Sequence, residues 1–187
     1  MAGSSVDRCC GRIHALKHVV TVAVCMSLVA CASDSYQMAA MQASESGDQK
    51  TAIRLSKKEV ARYSGADQCS RTTRLNCGTL ALAYGTLAGY QILDGDSIAG
   101  EGSFRGAKEA LRLTDPDTKA SATAMVYRDV SEAFWKVGDR ARAVAVFKEG
   151  RAAGADKWLY MSSAAGVADP PPSDQPSPGS RQPPSSK

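Results

Sequence analysis

The side chains with the widest chemical range in this 187-residue chain are six cysteines and two histidines, and their positions restrict what they can do. His14, His18, Cys9, Cys10 and Cys25 all fall within the first 30 residues. Cys31 follows directly, and Cys69 and Cys77 stand further on with seven residues between them. Histidine is the commonest general base and metal ligand, so that chemistry is confined to one end of the chain. The surroundings of Cys31 account for this. Residues 19–30 form an apolar run without charge, preceded by Arg8, Arg12 and Lys17. A basic flank, an apolar stretch of about a dozen residues and a small-residue cleavage site make a secretory signal. The stretch is too short to cross a bilayer, which takes about 20 apolar residues.

The junction itself, Leu28-Val29-Ala30-Cys31, resembles a bacterial lipobox. In lipoproteins with this motif the signal peptidase cuts before the cysteine, and the thiol carries a diacylglyceryl group. The resemblance therefore implies removal of residues 1–30 and lipidation of Cys31. A plain secretory signal, or a buried helix ending near a cysteine, is the alternative. In such lipoproteins an aspartate after the cysteine often retains the protein at the inner membrane. Ala32 stands there instead, which implies the outer membrane, facing the periplasm.

Cleavage before Cys31 changes the chemical inventory. No histidine is left, so a Ser/His or Cys/His nucleophile pair is excluded. With Cys31 acylated, Cys69 and Cys77 are two thiols in an oxidising compartment, which reads as one disulfide. Such a bridge contributes roughly 2–3 kcal/mol by the chain-entropy estimate. A metal or redox pair is the poorer reading, because the spacing is not Cys-x-x-Cys and no histidine completes a zinc site. No metal is expected, and no cofactor beyond the covalent lipid on Cys31. The formal net charge is +4; the leader holds three of the 23 basic residues and one of the 19 acidic ones, leaving 20 against 18. Those basic residues read as scattered among acidic ones, with no interleaved aromatics, so no nucleic-acid partner is expected.

One other stretch invites a chemical reading. Gly100-Glu101-Gly102-Ser103-Phe104-Arg105-Gly106 is glycine-rich, but its third glycine is one place late for G-x-G-x-x-G and no strand precedes it. Lys108 does not fit a Walker A pattern either. A flexible inter-helix turn is the expectation.

The elements that must position these residues are helical throughout. Alanine is abundant and apolar residues recur at spacings of three and four, an all-α pattern. In residues 124–155, Tyr127, Val130, Ser131, Phe134, Gly138, Ala143, Phe147 and Gly150 follow the order aromatic, aliphatic, small, aromatic, glycine, alanine, aromatic, small. That order resembles the tetratricopeptide repeat, a helix-turn-helix unit with a period near 34 residues. Tyr36, Ala39, Ala40, Ala43, Gly47, Ala52, Ser56 and Glu59 repeat the spacing, with two polar residues where the family prefers apolar ones. A looser middle copy contains Tyr84-Gly85, Asp94-Gly95-Asp96 and the segment around Ala107–Pro116, with extra residues at 96–102. The expected domain is 31–168: repeats at about 33–66, 78–117 and 124–157, and a short capping helix at 156–168 containing Trp158, Leu159, Tyr160 and Met161. Residues 169–187 hold seven of the eight prolines, mixed with serine, and read as a disordered tail.

The resemblance implies a short superhelical stack whose first helices line a concave protein-binding surface. Its groove positions in the third repeat would be Met125, Arg128, Glu132, Trp135 and Lys136, with Tyr90 in the second. The expected function is a lipid-anchored adaptor that assembles or localises a cell-envelope machine of pilus or secretion type, most like the small lipoproteins of Flp (tight-adherence) pilus assembly. The alternatives are an envelope enzyme or regulator acting on peptidoglycan or polysaccharide, and a structural outer-membrane tether.

Overall fold

The computed structural model describes residues 36–65 and 69–168. The proposed lipidation site Cys31, the proposed leader 1–30 and the proline-rich segment 169–187 lie outside the described residues. Seven α-helices and one 3-10 helix make up the described chain, with no strand among those residues. The fold class is all-α. No described helix is long and apolar enough to cross a membrane.

Three helical hairpins follow one another: α1 (Gln37–Glu45) with α2 (Gln49–Tyr63), α3 (Cys77–Leu93) with α4 (Ser97–Leu113), and α5 (Pro116–Lys136) with α6 (Arg140–Ala152). Each turns on the same dipeptide. Gly47, Gly95 and Gly138 have φ of +85°, +90° and +86°, a left-handed conformation that only glycine adopts without a Cβ penalty. The N–H groups of Asp48, Asp96 and Asp139 donate to the Ala43, Gln91 and Phe134 carbonyls, closing the first helix of each pair. Their carboxylates then accept from the N–H groups of Thr51, Ala99 and Arg142, capping the second.

These turns lie further apart than a 34-residue period, at positions 47, 95 and 138. The disulfide-bearing segment after α2 adds length, and α4 and α5 run to 17 and 21 residues. The third hairpin accordingly starts at Pro116, capped by the Asp115 carboxylate, and not near residue 124. Gly100–Gly106 is likewise no inter-helix turn: it lies inside α4. Gly100 is there because α4 presses on α3, where a Cβ would meet Ile92 Cγ1 at 2.5 Å and the Ala88 carbonyl at 3.1 Å.

The central helix α3 packs on α2, α4 and α5, and α5 packs in turn on α6. At the α3–α5 crossing, Gly85 faces Val126 so closely that a Cβ would stand 3.3 Å from the Val126 Cα. The core around it contains Ile92, Phe104, Val126, Val130, Phe134, Phe147 and Leu159, with Phe104 edge-on to Tyr127 at 5.1 Å. The polar positions of the first hairpin are also buried: Ser56, and Glu59, whose carboxylate accepts the Tyr36 N–H at 2.9 Å.

Residues 156–168 do not form a single capping helix. A 3-10 helix (Lys157–Met161) and a four-residue α7 (Ala165–Ala168) are separated by extended Ser162. Leu159 and Ala164 are the fully buried contacts, whereas Trp158, Tyr160 and Met161 are about half exposed or more. The Asp156 carboxylate caps the 3-10 turn through the Trp158 N–H and accepts from the Ser121 hydroxyl, which holds this segment to α5.

Candidate partner-binding groove

The first helices of the hairpins bring one set of side chains to a shared recess of about 350 Å³. Gly89, Tyr90 and Leu93 of α3 line it with Arg128, Asp129, Glu132, Ala133 and Lys136 of α5, and Ser44 of α1 and Met161 complete the lining. The floor is low because Gly89 has no side chain and its neighbour across the crossing is Ala133; a Cβ on Gly89 would lie 3.9 Å from that of Ala133. An apolar floor between charged rims suits a peptide or a helix face, which buries apolar side chains and pairs its polar ones at the edge.

Of the expected groove residues, Tyr90, Arg128, Glu132 and Lys136 line this recess. Met125 does not. It lies in a second recess of about 540 Å³ further along α5, with Leu75, Thr79, Leu82 and Ser121. Trp135 lines neither recess: it is partly buried against the core, and the Arg140 guanidinium lies 3.7 Å above its ring. The helical period does not separate them, since Trp135 follows Arg128 by seven residues and lies within about 20° of it in projection. Trp135 stands in the last turn of α5, where Arg140 of α6 stacks on its ring.

Asp129 is the charged lining residue that pattern reading missed, along with the small and apolar Gly89, Leu93 and Ala133. Its carboxylate accepts from Arg128 Nη2 at 2.7 Å and Nε at 3.0 Å. Burial at the recess wall raises its pKa above the ordinary carboxylate value, against the opposing pull of Arg128. The Tyr90 hydroxyl is raised too, first by burial and then by the negative charges of Asp129 and Glu45. Glu132 is already engaged, because its two oxygens accept from the Ser163 N–H and hydroxyl at 3.0 and 3.2 Å. It therefore ties the segment after the 3-10 helix to the rim, leaving Tyr90 and Lys136, beside the Arg128–Asp129 pair, to meet a partner.

Cys69 and Cys77 are joined in a disulfide, with 4.8 Å between their Cα atoms. The bridge pins the segment before α3 to the buried first residue of that helix. Comparison with known proteins finds no matching family model, no matching curated protein and no matching solved structure.

Proposed function

We propose that this chain is a lipid-anchored adaptor of the tetratricopeptide type. It holds a protein partner in the α3–α5 groove and thereby helps assemble or localise a cell-envelope machine of the pilus or secretion kind. The observation that carries this reading is the recess in which Tyr90, Arg128 and Lys136 surround an apolar floor. Aromatic and arginine side chains beside a small apolar pocket are the composition that dominates protein-protein binding energy. The Leu28-Val29-Ala30-Cys31 motif supports the anchor, and Ala32 supports an outer-membrane address facing the periplasm.

A photo-crosslinking amino acid at position 90 tests the groove, with the same group at Ile98, an exposed α4 site, as the control. The reading requires a discrete adduct from position 90 that Arg128→Ala weakens and that Ile98 does not give. Equal adducts from both positions would reject it. Labelling with radioactive palmitate tests the anchor separately, since label persisting in Cys31→Ala would remove the lipidation site.

A further inference from the structure

The basic residues that look scattered along the sequence are gathered by α2 onto one face. Lys50, Arg54, Lys57, Lys58 and Arg62 are all exposed, and at 100° per residue they fall within an arc of about 140°. Ala52, Ser56, Glu59 and Val60 are buried on the opposite side. Glu59 is the helix's sole acidic residue, so α2 itself adds five cations and no exposed anion to this face. The N-cap carboxylate of Asp48 interacts with Lys50 and Arg54 at its start. Among the described residues no carboxylate lies within ion-pairing distance of Lys50, Arg54 or Lys57. Elsewhere Arg112 pairs with Glu109, Arg128 with Asp129, and Arg142 with both Asp139 and Glu101, while Arg105, Lys119 and Lys148 have no such pair among the described residues. What sets α2 apart is the gathering of five cations on one face.

We propose that this face of α2 is a docking surface for an anionic phospholipid bilayer. The stripe from Lys50 to Arg62 is roughly 18 Å long at 1.5 Å per residue, a linear array that suits a planar sheet of negative headgroups. Four to eight Lys/Arg side chains on one helix face form the electrostatic half of a membrane-surface contact. A single-stranded nucleic-acid surface interleaves aromatic rings with its cations for base stacking. Here Lys58 and Arg62 each lie over a tyrosine, Tyr36 at 5.5 Å and Tyr63 at 5.6 Å, whereas α2 places no ring among Lys50, Arg54 and Lys57. The charge argument does not depend on lipidation. It rests on the adaptor reading only for place, since α2 begins 18 residues beyond Cys31. A diacylglyceryl group carries two acyl chains, which already make attachment stable. The α2 stripe would add to that anchor and fix which side of the array faces the bilayer.

The test uses the full chain with Cys31→Ala, so that lipidation plays no part and the two readings can fail separately. Partition is measured onto phosphatidylcholine vesicles and onto vesicles that also contain phosphatidylglycerol. Each cation at an anionic surface contributes about fivefold, so Lys50→Gln/Arg54→Gln/Lys57→Gln should lower partition onto the anionic vesicles roughly 100-fold. Partition onto phosphatidylcholine alone should not change, and the anionic preference should shrink as salt shortens the screening length. Arg105→Gln/Arg112→Gln/Lys148→Gln, which removes three exposed cations elsewhere, should leave the preference intact. Equal partition of the parent chain onto both vesicles overturns the proposal. So does an anionic preference that survives in the α2 variant or falls equally in the control, and so does tighter binding to a DNA duplex than to the anionic vesicles.

Discussion

Gly150 of α6 lies so close to Tyr127 of α5 that a Cβ on the glycine would stand 2.7 Å from the Tyr127 Cβ and 2.9 Å from its Cγ. Those are the least movable atoms of the tyrosine, whose ring is held by Phe104 and whose hydroxyl donates to Glu149. Gly150→Ala should therefore destabilise the third hairpin, although alanine alone favours a helix by up to about 1 kcal/mol. Overpacking of this kind costs typically about 1–3 kcal/mol, which after the helix-propensity gain leaves a net loss of up to about 2 kcal/mol in urea unfolding. A more stable Gly150→Ala protein would show that the helices can separate without loss.

Ser131 makes a second contact of this kind, polar and fully buried. Its hydroxyl donates to the Ala143 carbonyl at 2.9 Å, so the Ser162 hydroxyl is the donor in the bond the two serines share. Ser131→Ala leaves both groups without this partner, at a cost of about 1–3 kcal/mol. The loss should be local to the chain end, which Ser162 and Leu159 hold down. Hydrogen exchange should quicken in residues 159–165 more than in α3, and uniform quickening would contradict the local role.

What could be read from the sequence divides along physical lines. The Gly-Asp turns were legible because a left-handed glycine and a capping aspartate are decided within a few residues. Tyr127, Val130 and Phe134 were legible as one buried face by helical period. Gly100 was misread because glycine marks both turns and close packing, and only the contact with Ile92 decides between them. Trp135 was assigned to the groove by the repeat resemblance, at nearly the same angle on α5 as Arg128. It lines neither recess, and what the sequence could not show is the Arg140 guanidinium stacked on its ring. The basic face of α2 escaped notice because a linear count includes Glu59, which the fold buries.

The Cys69–Cys77 bridge should stabilise the fold through a short closed loop. Chain entropy for so small a loop amounts to about 2–3 kcal/mol. Cys69→Ala is the cleaner variant, since Cys77 is fully buried and a polar replacement would add its own penalty. Urea unfolding of the oxidised protein and of Cys69→Ala should differ by that amount, and reductant should lower the former to the latter. No response to reductant would mean that the two thiols are not joined in solution.

Acid should loosen the first and third hairpins through their caps. The Asp139 carboxylate is held below its ordinary pKa first by the Arg142 N–H and then by the Arg142 side chain, and Asp48 by the Thr51 N–H. A carboxylate depressed in the folded state contributes stability that is present above its unfolded value, near 3.9, and is lost as pH falls through the folded one. Asparagine is an equally good cap and does not titrate. Asp48→Asn/Asp139→Asn should therefore match the parent in thermal midpoint at neutral pH and lose less of it below about pH 4. Parallel decline of the two proteins in acid would assign that sensitivity to other carboxylates.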